Sequence, residues 1–220
     1  MKKIIYGIVI VAIALSGIYY YITRPVSAPS IPQTEVAAEM ASSYPTYTIG
    51  TGSVAEFSIG EELRGKPFMV VGVADMLSGT ITLSENPTLE RVLSIGEIKV
   101  NARTFKTDST QRDGAIARAI LKSENPEYEF IVFTPTEGAE IAVTPDGSFS
   151  DSLSGTLTIA RISKPAIFKI TGTASADSLA GIAETTITRS DFGLTIPNIP
   201  FVANVDETIA IKVTIVAPAK

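Results

Sequence analysis

Cysteine, histidine and tryptophan are all absent from the 220-residue sequence. Without Cys or His the chain cannot form disulfides, Cys/His zinc sites or CxxC redox pairs, nor the Ser-His-Asp and Cys-His arrangements of nucleophilic enzymes. Aromatic residues make up only 7% of the chain, although 45% of it is apolar. The missing residue types therefore exclude several classes of enzyme, and the sequence predicts neither a metal ion nor another cofactor.

Basic residues are also in the minority, because 18 Lys and Arg stand against 23 Asp and Glu for a formal net charge of −5. The first 24 residues hold three of the basic residues and no acidic one, so the remainder carries 15 basic and 23 acidic side chains. A protein that binds nucleic acid needs a cationic surface to neutralise phosphates. The sequence therefore predicts no nucleic-acid partner.

One long apolar run stands at the N-terminus, where the 19 residues 4–22 carry no charge. As a helix this run spans about 28 Å, close to the hydrocarbon thickness of a bilayer. Lys2 and Lys3 precede it, and positive charge favours the cytoplasmic side of a membrane. Residues 1–24 are therefore predicted to be an uncut transmembrane anchor, with the rest of the chain outside the cytoplasm.

A cleaved signal peptide is the alternative for this segment. Its apolar region usually spans about 7–15 residues and ends in a small-x-small site. The sequence offers only Val26-Ser27-Ala28, where Pro29 would follow the cut. Residues 25–44 then combine several prolines with Ser, Ala, Gln and Thr, a composition that cannot bury a core and predicts a disordered linker.

From residue 45 onward, short segments alternate apolar and polar residues between turn signals. Period-two alternation is typical of half-buried β-strands. The pattern is clearest over residues 55–60, 127–132, 153–159 and 208–215, and weaker near 68–74, 79–83, 92–100, 139–143, 166–171 and 180–189. Such a succession over residues 45–220 predicts an all-β domain, either a closed barrel or a sandwich.

Two local signals interrupt or connect the strands. Pro145-Asp146-Gly147 predicts a hairpin turn, because Pro fixes φ and Gly accepts a positive φ. Asp113 is predicted to cap one short helix that runs to Leu121 and ends before Asn125-Pro126. The expected domain is therefore all-β with a single helix.

Several motifs occur in a characteristic order. Residues 104–130 read TFKTDSTQRDGAIARAILKSENPEYEF, residues 155–159 read GTLTI, and residues 186–215 read TITRSDFGLTIPNIPFVANVDETIAIKVTI. Their shared features are a Thr-Asp and an Arg-Asp pair before a helix, a Phe-bearing strand after a Pro, a Gly-x-Leu-Thr strand, and Arg-Ser-Asp-Phe-Gly. In this order and spacing, residues 46–217 resemble the YceI-like polyisoprenoid-binding family.

The resemblance implies a lipocalin-like, eight-stranded antiparallel barrel outside the cytoplasm. It also implies a hydrophobic lumen that binds or carries a long-chain isoprenoid or a similar amphiphilic lipid, with no catalysis. The chain departs from the family pattern at Ala160-Arg161, because many members carry a Gly soon after the Leu-Thr strand. The sequence does not predict an oligomeric state.

The sequence is also compatible with two other functions. The domain is alternatively a filled barrel, a structural or interaction module displayed on the membrane. An enzyme such as a carboxylate-based hydrolase needs two converging carboxylates, but the adjacent pairs Glu61-Glu62 and Asp206-Glu207 point to opposite faces of a strand. These pairs are therefore interpreted as solvated.

Seven residues are the candidate lipid contacts in the lumen. They are Phe57, Phe130, Gly155, Phe168, Arg189, Asp191 and Phe192. The phenylalanines either line an apolar tunnel or fill a core, and Phe133 is opposite in phase to Phe130. Arg189 and Asp191 follow Ile187 at period two and so are predicted to point inward, where an ion pair either orients a head group or clamps a strand end.

Overall fold

The computed structural model describes residues 44–88 and 90–220, and every pair of strands among them is antiparallel. In chain order the strands are β1 (Thr46–Ile49), β2 (Val54–Leu63), β3 (Lys66–Ala74), β4 (Leu77–Glu85), β5 (Arg91–Ile95), β6 (Ile98–Asn101), β7 (Phe130–Pro135), β8 (Glu140–Ala142), β9 (Ser148–Ile159), β10 (Ile162–Ala174), β11 (Ser178–Thr188), β12 (Val202–Ala203) and β13 (Thr208–Pro218). The helical elements are α1 (Thr110–Ala115), the π-helical segment Ile116–Ile120, and the 3₁₀ turns Ala102–Thr104, Pro126–Tyr128 and Arg189–Phe192. The predicted all-β fold with one short helix is confirmed.

The predicted anchor over residues 1–24 lies outside the described residues, and so does the predicted linker over 25–44 apart from Tyr44. Within the part of the chain that the structure describes, no helix has the length and apolar character needed to cross a membrane.

The sheet curls into an open barrel. Its main path of hydrogen-bonded neighbours is β3-β2-β13-β11-β10-β9-β7-β6-β4, and β4 also pairs with β1 and β5. The described residues form 13 strands. Across the open edges, β3 and β1 make the single bridges Val73↔Lys106 and Tyr47↔Ala219 instead of continuous ladders. The predicted closed, eight-stranded barrel is therefore wrong in strand number and in closure, because the chain after Lys106 turns into α1 before a ladder with β3 can form.

The period-two patterns locate most strands, with two local corrections. The single strand predicted near 92–100 is two strands, β5 and β6, separated at Gly96, whose N–H donates to Thr80 O at 2.9 Å. The strand predicted from 127 begins at Phe130, because Pro126–Tyr128 forms a 3₁₀ turn capped by Asn125.

The helix also begins earlier than predicted. Ser109 is the N-cap, its hydroxyl accepting from Arg112 N at 3.4 Å, so α1 starts at Thr110. Asp113, the predicted cap, instead accepts hydrogen bonds from the amide and hydroxyl of Thr107 at 2.7 and 2.8 Å. Its carboxylate therefore fixes the loop that precedes the helix.

Two tight turns set the register of the sheet. Gly147 has φ +88° and its N–H donates to Thr144 O at 2.8 Å, as the Pro145-Asp146-Gly147 pattern predicts. Ala160 and Arg161 join β9 to β10 with φ values of +47° and +67°. Positive φ at both central residues is the requirement of a type I′ hairpin turn, so the turn forms here without glycine.

One end of the open barrel is densely packed, and we call it the filled half. Its core residues include Tyr47, Leu83, Leu93, Ile141, Phe149, Leu179 and Ala217, all buried. The ring of Phe149 lies over Gly172 of β10 and Gly181 of β11, where any Cβ would meet it. The Tyr47 hydroxyl donates to Ser175 O at 2.6 Å, and burial raises the pKa of this phenol.

The opposite end, the hollow half, is framed by the pairs Ile159↔Ile162 and Ile187↔Ile209 and by the β2–β3 turn. Here the inward side chains of β2, β9, β11 and β13 enclose a cavity. The same strands thus carry a packed core at one end and a cavity at the other.

Candidate functional site

The cavity of the hollow half has a volume of about 620 Å³. Small-molecule sites usually occupy roughly 300–1,000 Å³ and are lined mainly by apolar groups. The part of the wall contributed by β9, β11 and β13 is aliphatic, and it consists of Leu157, Ile159, Ile187, Ile209, Ile211 and Val213. Chemically, this wall favours a long apolar ligand because it offers no hydrogen-bonding side chains.

Aromatic rings shape the sides of the cavity. Phe57 on β2 lies across Gly72 of β3, where only hydrogen leaves room for its ring, and it meets Phe105 edge-on at 5.3 Å between centroids. Phe168 on β10 meets Phe133 edge-on at 4.9 Å. Edge-to-face pairs fix ring orientation, so these four rings form rigid parts of the cavity wall.

The helical segment after Ser109 covers one side of the cavity. Leu121 N donates to Ile116 O at 2.8 Å, which is the i→i+5 bond of a π-helical turn. The wider turn keeps Ile116, Ile120 and Leu121 on one side, and all three line the cavity. An apolar helical face therefore stands opposite the apolar sheet.

A polar cluster borders the cavity where α1 approaches β2. Arg112 Nη2 lies 3.1 Å from Glu61 Oε1, its Nη1 pairs with Asp108, and its guanidinium lies 5.6 Å from the centre of the Phe68 ring. The Glu61 side chain is only 7% exposed. A carboxylate this buried needs a charged partner, and Arg112 supplies it while joining α1 to the sheet.

An apolar loop covers the other side of the cavity, between the 3₁₀ turn at 189–192 and β13. Its cavity-lining residues are Leu194, Ile196, Ile199, Pro200, Phe201, Val202 and Val205. Arg189 holds both ends of this loop, since its Nε donates to Asp206 O at 3.1 Å, its Nη1 to Leu194 O at 3.3 Å, and its Nη2 pairs with Glu207 at 2.5 Å. Arg189 is thus placed as a clamp.

Three of the seven candidate residues, Phe57, Phe168 and Arg189, line the cavity. Phe130 does not line it and is 44% exposed, whereas Phe133, three positions later on the same strand, is buried and faces inward. The opposite phase of these two phenylalanines is therefore observed, with Phe130 as the outward one.

The other three candidates lie elsewhere. Gly155 is covered by the Phe133 ring, and a Cβ there would lie 2.5 Å from Thr134 O, so this glycine makes room for a side chain rather than for a ligand. Phe192 is buried outside the cavity lining and Asp191 is exposed. The strand alternation that placed Asp191 inward ends at Ile187, because residues 189–192 form a 3₁₀ turn, and Arg189 pairs with Glu207 instead.

Sequence reasoning missed the Arg112–Glu61 pair and the apolar loop. Glu61 shares the parity of Phe57 and Ile59 on β2, which indicates an inward direction, whereas the adjacent pair Glu61-Glu62 by itself predicts a solvated face. No strand or helix periodicity marks the loop. Its only signal is the density of Ile, Pro and Phe between residues 194 and 202.

The comparisons with known proteins agree with this architecture. The family model of the YceI-like domain matches residues 47–217. A search of the curated proteins finds no match.

Several solved structures resemble the fold. A polyisoprenoid-binding domain from Saccharophagus degradans, implicated in plant cell wall breakdown, has a TM-score of 0.59 at 12% identity and covers 80% of this chain and 99% of its own. BcnA of Burkholderia cenocepacia has a TM-score of 0.50 at 15% identity, covering 74% of this chain and 96% of its own. At such identities the likeness establishes a shared fold.

Proposed function

Because this chain belongs to the YceI-like domain family, we propose that the cavity of its hollow half binds a long-chain isoprenoid-type lipid. The observation that carries the proposal is the apolar cavity of about 620 Å³. Burial of an apolar chain contributes about 25 cal/mol per Å² of surface removed from water. The description of the Saccharophagus degradans relative as polyisoprenoid-binding supports the same ligand class.

The proposed role is binding or carriage of the lipid, without catalysis. Glu61 and Asp108, two of the carboxylates at the cavity, are both engaged by Arg112. A hydrolase of the carboxylate type needs its acid and base to reach a substrate, whereas these two groups are occupied in joining α1 to β2. An amphiphile fits better, with its chain against the aliphatic wall and its polar end at this rim.

We also propose that the domain acts outside the cytoplasm, with residues 1–24 as its membrane anchor and 25–44 as the linker. The apolar run over residues 4–22 and the preceding Lys2 and Lys3 support this arrangement. Intact-mass analysis of protein extracted from membranes should give the full chain. A product that begins near Pro29 would indicate a cleaved signal peptide instead.

Filling the cavity tests the lipid proposal directly. Ala115 at the end of α1 lines the cavity, so Ala115→Phe should remove most of the co-purifying lipid, as measured by mass spectrometry of the organic extract. Ala119→Phe is the matched control, because Ala119 is exposed on the following segment and does not line the cavity. Circular dichroism checks that both variants fold.

Lipid retained by a folded Ala115→Phe variant at the wild-type level would contradict the proposal. It would favour the alternative, a structural or interaction module displayed on the membrane. Equal loss in both variants would show that the substitution acts on the helix rather than on the cavity.

A further inference from the structure

The cavity carries charged side chains in equal numbers. Its lining includes the acidic residues Glu56, Glu61 and Asp108 and the basic residues Arg64, Arg112 and Arg189. Equal numbers alone do not decide which head group a lipid can bring. The partners of each arginine decide which head group the cavity accepts, because an anionic head group needs a guanidinium whose hydrogen bonds are not already used.

Arg112 is committed to two carboxylates. Its Nη2 lies 3.1 Å from Glu61 Oε1 and its Nη1 pairs with Asp108. A phosphate that competed for this guanidinium would have to displace Glu61, whose side chain is 7% exposed, and leave a buried carboxylate without a partner. The unpaired carboxylate and the phosphate would also repel each other at short range.

Arg189 is equally committed. All three of its side-chain nitrogens are used, on Asp206 O, Leu194 O and the carboxylate of Glu207. A phosphate bound here would release the loop that forms one wall of the cavity. Ligand binding would then destroy part of its own site.

The remaining polar side chains of the cavity, Arg64 and Gln111, can bind a neutral oxygen better than a phosphate. Arg64 is exposed at the β2–β3 turn, 5.7 Å from the centre of the Phe201 ring. A contact between a phosphate and this solvated guanidinium would contribute little to the binding free energy. Gln111 also lines the cavity, and its amide both donates and accepts. An alcohol or carbonyl oxygen can use such a group without disturbing either arginine.

Building on the lipid-binding function proposed above, we propose that the cavity selects isoprenoids with an uncharged oxygen head group over phosphorylated ones. Glu61 and Asp108 determine this selectivity by neutralising Arg112. Glu61→Gln keeps the shape and a hydrogen-bond acceptor but removes the negative charge, so it makes Arg112 available to an anion.

The test compares two ligands that differ only in the head group, geranylgeraniol and geranylgeranyl phosphate. Their dissociation constants are measured on delipidated wild type and on Glu61→Gln. The wild type should bind the alcohol about tenfold more tightly or better, the size expected for one charged hydrogen bond. Glu61→Gln should reduce this ratio at least fivefold.

The matched control is Glu62→Gln, which alters the adjacent carboxylate. Glu62 accepts a hydrogen bond from Asn204 at 2.7 Å and does not line the cavity, so the ratio should stay at the wild-type value. Asp108→Asn is a second test variant, because Asp108 is 61% exposed and its substitution leaves the Glu61 pair in place. It should shift the ratio in the same direction as Glu61→Gln.

Each outcome supports or overturns the inference. Equal or tighter binding of the phosphate by the wild type overturns the selectivity but leaves lipid binding intact. An unchanged ratio in both Glu61→Gln and Asp108→Asn overturns the role of the Arg112 cluster. Failure of the wild type to bind either ligand overturns the proposed function itself, and this inference with it.

Discussion

The filled half and the hollow half of the open barrel are built from the same long strands but differ in what faces their inner surfaces. In the filled half, Phe149 occupies the space above Gly172 and Gly181, and Tyr47 seals the end with no exposed surface. In the hollow half, Ile209, Ile211 and Val213 of β13 are only partly buried because they face the cavity. The apolar pattern of β13 continues through both halves without a break.

The difference between the two halves separates close packing, which stabilises the fold, from the open space that a cavity requires. A ligand cavity removes packing contacts and so lowers stability, whereas close packing excludes a ligand. Here the contacts that stabilise the fold are concentrated at one end, and the cavity lies at the other. Substitutions in the two halves should therefore have separable effects on unfolding and on lipid content.

The largest expected effect comes from truncating Phe149. Phe149→Ala removes a buried ring from the filled half and should lower the free energy of unfolding by about 3–5 kcal/mol. Phe57→Ala in the cavity wall should cost less, because one side of this ring faces the cavity rather than packed side chains. Chemical denaturation measures both, and equal losses would remove the distinction between the halves.

A smaller effect is expected from Arg189. Arg189→Ala deletes the hydrogen bonds to Leu194 O and Asp206 O and should lower the free energy of unfolding by about 2 kcal/mol. Hydrogen exchange should rise over residues 194–206 and not in the filled half. Arg161→Ala, which removes an exposed pair with Glu127, should change stability by less than about 1 kcal/mol. Faster exchange throughout the sheet would contradict a local clamp.

The smallest effect is expected from the Tyr47 hydroxyl. Tyr47→Phe loses the bond to Ser175 O and should cost about 0.5–1.5 kcal/mol at neutral pH. Burial raises the pKa of this phenol above its usual value of about 10. The unfolded chain therefore ionises first, and the wild type loses stability as the pH rises above that value.

The variant lacks this ionisation. The difference in unfolding free energy between wild type and Tyr47→Phe should therefore narrow above about pH 10. A difference that stays constant from neutral to alkaline pH would mean that Tyr47 does not contribute to alkaline unfolding.

Strands were predictable from sequence where a solvent face and an apolar face alternate without interruption. The alternation over 208–215 lies within β13, and that over 153–159 lies within β9. β12 has only two residues, Val202 and Ala203, and is fixed by pairing with β2 rather than by any pattern of its own. Closure was not predictable either, because it depends on whether the chain after Lys106 continues as a strand or turns into a helix.

The candidate site was predictable only in its apolar part. The period-two pattern correctly predicted that Phe57 faces inward. The pattern cannot distinguish a side chain that lines a cavity from one that fills a core. Gly155 illustrates this, since the space it leaves is taken by Phe133 from the neighbouring strand. The Arg112–Glu61 pair joins α1 to β2 across 51 positions of sequence, and no local pattern reports such a contact.

The order of the strands also has a consequence for folding kinetics. β9, β10 and β11 are successive hairpins whose contacts are local, whereas Ala55 of β2 pairs with Val213 of β13 near the other end of the sequence. Distant pairings carry the larger loop-closure entropy and form slowly. The cavity forms only when β2 and β13 have paired, because Phe57 on β2 and Ile211 on β13 both line it. We therefore expect a lipid bound in the cavity to slow unfolding without accelerating folding.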